Sequence, residues 1–260
     1  MTPPVFSRNP GEWLNHRNSH LMIVGLGSAG SALALMAARA GVGHFSLIDN
    51  GVLNPEHVGR HFCTSIGTTK VQAVKELIWQ VNPGAVVSTY EQDFRKLVHE
   101  GFSIDGHISL LIGTTDSFEC QSLLNMLSLE THIPSLFVGC WGAATVGEIL
   151  YVKPGLTPCY NCYAGFRRAE EPVASASRKY FDPDFDSTRT PSQPGLWSNI
   201  LTICGFAFQV VLALVGHDQA GFMGDKDNLF LVNVGDCGSG LPFWAVSRGF
   251  IDRGCGVCEG

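Results

Sequence analysis

The chain has 260 residues, 45% of them hydrophobic and 15% charged. That supplies enough apolar side chain for one large α/β domain, or for one domain with a small appendage. The formal net charge is -6 and no long lysine or arginine run occurs, which excludes a nucleic acid as the expected main partner and points to a protein or small molecule.

Residues 1–20 are polar and irregular, with Trp13 and Leu14 expected to anchor a short helix. They show no basic region followed by an apolar core, so no secretion signal is expected. Leu21, Met22, Ile23 and Val24 then form a short apolar run. It leads into a glycine turn, Gly25-Leu26-Gly27-Ser28-Ala29-Gly30, and an Ala- and Leu-rich helix over 31–40. A second strand over 44–49 ends at Asp49. This is the pattern of a nucleotide-binding βαβ unit. Gly25 permits the turn, Gly27 lets backbone approach a phosphate, and Gly30 lets the helix pack on the strand. The helix N-terminus offers unpaired N–H groups to the anion, and an acid about twenty residues on commonly holds a ribose hydroxyl. The turn alone does not separate NAD from ATP, and a purely structural glycine turn is the alternative.

Residues 50–63 are rich in Asn, Gly and Pro and read as loop and broken turns leaving the carboxyl edge of a strand. A helix is predicted over 67–80, from Val71, Val74, Leu77, Ile78 and Val81 at helical spacing, with Asn82-Pro83-Gly84 as the stop. Lys70 falls in its first turn, against the helix dipole. It is either a solvated surface lysine or an amine that reaches a phosphate. Strands over 85–90 and 109–112, with a short helix near 94–100, lead to Gly113-Thr114-Thr115-Asp116-Ser117 and a helix over 118–129. Asp116 at this corner is either a helix N-cap or a magnesium ligand. Extended segments follow over 135–139 and 147–152.

Nine cysteines include two CxxC pairs, Cys159/Cys162 and Cys255/Cys258. Four thiolates in two short loops suit a tetrahedral structural zinc; redox pairs or free thiols are the other readings. With no secretion signal, this usage favours a reduced compartment, and a cytoplasmic location is expected. Residues 166–196 are charged, rich in Pro, Ser and Asp, and without periodicity, as in a mobile crossover loop. The apolar stretch 200–215 falls short of the roughly 20 residues a bilayer requires, so a buried helix over 197–216 is expected and no membrane partner. Late strands are predicted over 228–234 and 242–247, and no internal repeat is visible.

GLGSAG, the strand LID ending at Asp49, Arg60 in HVGRH, Lys70 in a GxxK, Asp116 in TTDS, PCYNC and the closing CGVC occur in one order from Leu21 to Cys258. The chain resembles the ThiF/MoeB/HesA adenylyltransferases, which share their adenylation domain with ubiquitin-activating enzymes. The resemblance implies one domain over 1–260. Its fold would be a Rossmann-like, mostly parallel sheet flanked by helices, with a late antiparallel portion closed by a four-cysteine zinc site. It implies adenylation, with ATP and Mg²⁺, of the C-terminal glycine of a ubiquitin-like or sulfur-carrier protein. Asp49 would hold the ribose, Arg60 and Lys70 the phosphates, Asp116 the Mg²⁺, and Cys159, Cys162, Cys255 and Cys258 the Zn²⁺.

A homodimer is implied too, with 197–215 near its interface and Arg8 as the candidate that crosses to the partner's ATP. Three positions depart from the family pattern. Gly51 stands where a second acid is frequent, His57 where an Asn precedes the arginine, and His61 where a Gln is usual. Residues 166–196 hold no cysteine, and Cys204, the nearest, lies in an apolar helix where burial would leave it inert. The expectation is therefore an enzyme that stops at the acyl-adenylate or hands it to a separate thiol protein of conjugating-enzyme or sulfurtransferase type. Other readings are adenylation of a peptide or modified tRNA base, a degenerate nucleotide-binding scaffold, and, from the βαβ unit alone, an NAD-dependent dehydrogenase.

Overall fold

The computed structural model describes residues 6, 16–141, 144–164, 195–216, 227–235, 246–249 and 255–258. Trp13, Leu14, Arg8, Cys237 and nearly all of the expected crossover loop lie outside them. The first half alternates strand and helix: β1 (His20–Val24), α1 (Ser28–Arg39), β2 (His44–Ile48), α2 (Lys70–Val81), β3 (Val86–Tyr90), α3 (Phe94–His99), β4 (Leu110–Gly113) and α4 (Phe118–Thr131). Then come β5 (Ser135–Trp141), β6 (Val146–Val152), α5 (Trp197–Gly216), β7 (Leu229–Asn233) and β8 (Val246–Gly249). The described part of the last strand begins at Val246, within the span predicted for it.

Among the described residues these strands form an eight-stranded sheet in the order β3-β2-β1-β4-β5-β6-β7-β8. Pairings from β3 through β5 are parallel, and those from β5 through β8 antiparallel. The expected mostly parallel sheet with a late antiparallel portion is therefore the observed one. Strand β1 lies in the sheet's interior, where both faces are covered. Leu21 and Ile23 join the core under α1, α2 and α5, while Met22 and Val24 join the core under α4. That is why the strand reads as an unbroken apolar run rather than an alternation. Burying each such side chain contributes roughly 1.5–3 kcal/mol before the entropy of ordering is counted.

The chain moves from β1 outward to β2 and β3, then returns to β4 on the other side of β1. The carboxyl ends of β1 and β4 thus flank a topological switch point, where open α/β sheets leave a crevice. Gly25, Asp49 and Asp116 all follow strands that end at this edge.

Helix α5 spans 20 residues, long enough to cross a bilayer, so its length does not separate it from a membrane span as the shorter apolar stretch suggested. Its packing gives the apolar side a protein partner instead: Ile203, Cys204, Ala207, Val210 and Val211 are buried in the core shared with α1. The segment read as loop and broken turns contains a 3-10 helix, Pro55–Arg60. Asn54 and His57 hold its start reciprocally, and His57 Nδ1 accepts the Asn54 N–H at 2.8 Å.

Candidate functional site

Leu26, at the centre of the glycine turn, is gripped at both ends of its backbone. Its N–H donates to Asp49 Oδ2 at 2.6 Å, and its carbonyl accepts from His61 Nε2 at 2.8 Å. The second Asp49 oxygen accepts the Gly51 N–H at 2.7 Å. His61 Nδ1 accepts the Cys63 N–H at 2.9 Å, which assigns the proton to Nε2 and makes the neutral ring the one that fits. Gly30 is fixed by close approach. A Cβ there would run into the Gly25 carbonyl oxygen and would lie 2.7 Å from Thr114 Oγ1, whereas at Gly27 it would meet nothing. The turn is therefore tight on its sheet side and open at Gly27, where an anion would approach α1.

Lys70 is the first residue of α2, and its N–H donates to the Gly51 carbonyl at 2.9 Å. A side chain at Gly51 would begin 3.0 Å from Lys70 Nζ and 2.9 Å from Asp49 Oδ1. The missing acid at position 51 is thus matched by an amine that occupies the neighbouring space. Arg60 ends the 3-10 helix and is half-buried.

Ser117, not Asp116, caps α4, accepting the Cys120 N–H at 3.2 Å. The capping reading of Asp116 is thereby set aside. Asp116 keeps exposed surface in an open cleft, yet protein atoms crowd it. Burial raises its carboxyl above the usual range, and the charges of Arg60 and Lys70 oppose that rise. Arg60 and Lys70 therefore both lie within electrostatic reach of Asp116. One carboxylate that the helix does not use suits Mg²⁺, which takes one or two carboxylates and completes its shell from phosphates and water.

The two cysteine pairs, far apart in sequence, converge. Cys159 and Cys255 sulfurs are 3.5 Å apart, Cys162 and Cys258 3.5 Å, Cys255 and Cys258 3.8 Å, and Cys159 and Cys162 3.9 Å. A disulfide needs about 2.05 Å, while a zinc tetrathiolate with bonds of about 2.3 Å places its sulfurs about 3.8 Å apart. Burial and the neighbouring thiols push Cys159 up to about 11. A cation that takes thiolates relieves that crowding. The strap carrying the first pair is pinned by two buried asparagines. Asn125 on α4 accepts the Tyr160 N–H at 3.0 Å and donates to Asn161 Oδ1 at 3.1 Å, and Asn228 donates to the carbonyls of Pro158 and Tyr151.

Sequence reading missed His61 as a clamp and both asparagines. Only Asn125 carried a signal, as a lone polar residue between Leu124 and Met126; His61 follows Arg60 and Asn228 follows Asp227 in polar stretches. Cys204 is fully buried between α1 and α5, with its sulfur 3.9 Å from the Ala29 carbonyl, and burial raises its thiol strongly. It is a core residue.

The profile described as ThiF family matches residues 10–226. The chain belongs to the ThiF family. Ubiquitin-like modifier-activating enzyme 5 of Caenorhabditis elegans is 26% identical over 250 residues, covering 92% of this chain and 54% of that protein. The Dictyostelium discoideum protein of the same name is 28% identical over 160 residues, 57% of this chain and 42% of its own length. The chain thus spans about half the length of the curated relatives it matches. Among solved structures, Escherichia coli MccB with AMPCPP and MccA superposes with a TM-score of 0.76 at 16% identity, over all of this chain and 75% of that one. MccB with ATP gives 0.73 at 17%, over 98% and 71%. These likenesses show the fold.

The ordinary histidine pKa is about 6.5, and burial lowers that of His61. Its contribution is fully present above the unfolded value and is lost as pH falls through the lowered folded value, because the unfolded chain takes the proton first. Wild-type stability in urea should fall between about pH 7 and pH 5 relative to His61→Gln. Comparing the two isolates His61 from His16, His20 and His57, which burial lowers in the same direction. A pH-independent difference contradicts the neutral clamp.

Purified full chain should carry one zinc per molecule by mass spectrometry of the metal. Cys258→Ser should lose it and lower Tm by roughly 5–10 °C. Absence of zinc with unchanged melting contradicts the metal site.

Proposed function

We propose that this chain adenylates the C-terminal carboxylate of a small carrier protein, consuming Mg²⁺-ATP and releasing pyrophosphate. The convergence of Arg60, Lys70 and Asp116 at the switch-point edge, beside an open glycine turn, carries this reading. Family membership and relatives named as ubiquitin-like modifier-activating enzymes support it. They favour a ubiquitin-like or sulfur-carrier protein ending in glycine. Likeness to MccB solved with MccA favours a peptide as the second choice of substrate.

In the proposed reaction a carboxylate oxygen attacks the α-phosphorus, and the bond to the bridging oxygen breaks with its electron pair leaving on pyrophosphate. No proton must move, because the attacking carboxylate is already ionised. The work is positioning and charge stabilisation. The N-terminus of α1 faces the phosphates past Gly27, Asp49 holds the ribose hydroxyls, and Arg60 and Lys70 offset the negative charge. Asp116 would hold the magnesium, which when bound would supply further neutralisation of phosphate oxygens. A zinc held by all four thiolates of the cluster would have no open position and would be structural.

The described thiols, which do not include Cys237, bear on the fate of the adenylate. Among the described residues, every cysteine outside the cluster lies where burial raises it: Cys63 and Cys120 to about 11 and Cys140 to about 12, with Cys204 raised further. A thiol held in that state is a poor nucleophile at neutral pH. We assign the next step to a separate thiol protein of conjugating-enzyme or sulfurtransferase type. The partly exposed side of α5 is the face assigned to a homodimer, and the location assigned is the cytoplasm.

Asp116→Ala and Arg60→Ala should each lower ATP–pyrophosphate exchange with a glycine-terminated ubiquitin-like carrier by about 10²-fold or more. Far-ultraviolet circular dichroism and Tm should stay near wild type, since neither side chain supports the core. Full exchange by Asp116→Ala would falsify the assigned mechanism.

A further inference from the structure

The segment between Gly51 and Lys70 folds back onto the start of α2. Val52 bridges Thr69, the Leu53 N–H donates to the Thr68 carbonyl at 2.9 Å, and the Gly67 N–H donates to the Leu53 carbonyl at 2.8 Å. The 3-10 helix Pro55–Arg60 leaves this ladder from Asn54, so it begins beside the turn that carries Lys70. In such a helix, with three residues per turn, side chains at i and i+3 eclipse. His57 and Arg60 therefore share one face of it.

Arg60 has a place in the proposed reaction, whereas His57 has none. Its ring is held in one orientation: Nδ1 accepts the Asn54 N–H at 2.8 Å, and the Asn54 side chain accepts the His57 N–H in return. Burial first, and the charges of Lys70 and Arg60 after it, lower the ring's pKa against the opposing pull of Glu56 and Asp49. The imidazole is thus neutral at neutral pH. A neutral ring whose Nδ1 accepts carries its proton on Nε2. Nε2 is therefore a hydrogen-bond donor of fixed direction. It is not a ready metal ligand, because freeing its lone pair would move the proton to Nδ1 and break the bond to Asn54.

The surroundings say what this donor meets. Lys70 and Arg60, which act on the Asp116 carboxyl, act on His57 as well. A side chain at Gly51 would begin 3.0 Å from Lys70 Nζ and 2.9 Å from Asp49 Oδ1, so the amine and the acid assigned to the ribose are close neighbours. His57, half-buried, joins this cluster. Two cations and an oriented N–H donor together fit an anion with many acceptor oxygens. In the proposed reaction the α-phosphate must stay open to the incoming carboxylate, which leaves the β- and γ-phosphates for a donor held among cations.

We infer that His57 is a further polyphosphate-binding residue, donating from Nε2 to an oxygen of the pyrophosphate that leaves, on the face it shares with Arg60. The inference rests on the adenylation reading for the identity of the ligand and adds to it a group that tells a nucleoside triphosphate from a monophosphate.

The test is calorimetric titration of the full chain, in Mg²⁺, with AMPCPP and with AMP. His57→Ala should reduce the preference for AMPCPP over AMP by about tenfold, as loss of a hydrogen bond to a charged group implies, with AMP affinity changed by about twofold or less. Asn54→Ala controls for the cap, since it removes the side-chain half of the same capping box and leaves the imidazole. It should lower Tm about as much as His57→Ala does and keep the preference within about twofold. A second readout needs no variant: carbethoxylation of His57 by diethyl pyrocarbonate, mapped by peptide mass spectrometry, should slow several-fold with Mg²⁺-AMPCPP and not with AMP. An unchanged preference in His57→Ala, an equal loss of preference in both variants, or a His57 left unprotected by saturating AMPCPP overturns the inference. ATP–pyrophosphate exchange with a glycine-terminated ubiquitin-like carrier is measured in parallel. Exchange by wild type with the preference unchanged in His57→Ala removes the His57 assignment alone. A preference that falls as expected, with no exchange from any carrier, overturns the adenylation reading and leaves His57 as a polyphosphate donor.

Discussion

The two-ended grip on Leu26 fixes the rest of the site. An acid from the end of β2 takes its N–H and a neutral imidazole takes its carbonyl, so the turn cannot rotate its amides away from the crevice. The same contacts tie three separate stretches, the β1–α1 turn, the end of β2 and the segment after Arg60, into one unit. Lys70 joins it through the Gly51 carbonyl. A phosphate site made of backbone N–H groups is only as good as the rigidity of that backbone, and here the rigidity comes from side chains that need not touch the ligand.

The two halves of the sheet divide the labour. Parallel strands β1, β2 and β4 end together and place Gly25, Asp49 and Asp116 around the switch point. The antiparallel half brings the chain back so that Cys255 and Cys258 meet Cys159 and Cys162. Helix α4 connects these tasks. Asp116 and Gln121 stand at its start beside the crevice, and Asn125, one turn further along, holds the strap that carries the first cysteine pair. One helix thus joins the crevice to the strap that carries the first cysteine pair.

Much of this was legible in the sequence, for physical reasons that differ by element. The βαβ unit could be read because a doubly covered strand must be continuously apolar and its turn must contain Gly30, where the Gly25 carbonyl leaves no room for a side chain. The cysteine convergence could be read because CxxC pairs have few other uses in a reduced setting. What escaped was whatever depends on tertiary partners. His57 and His61 looked like departures from a family pattern; in three dimensions both rings accept backbone N–H groups and hold the segment around Arg60. Gly51 looked like a lost acid, but it leaves space that the Lys70 amine borders. Asp116 could not be told from a helix cap until Ser117 was seen in that role.

The central claim is that this site makes an acyl-adenylate and keeps no carrier covalently on its own thiols. Intact mass spectrometry of the full chain with Mg²⁺-ATP and a glycine-terminated ubiquitin-like carrier tests it most directly. The account predicts a carrier heavier by one AMP moiety and an enzyme of unchanged mass. A reductant-sensitive carrier–enzyme adduct, or a carrier that stays unmodified while ATP is bound, would contradict it.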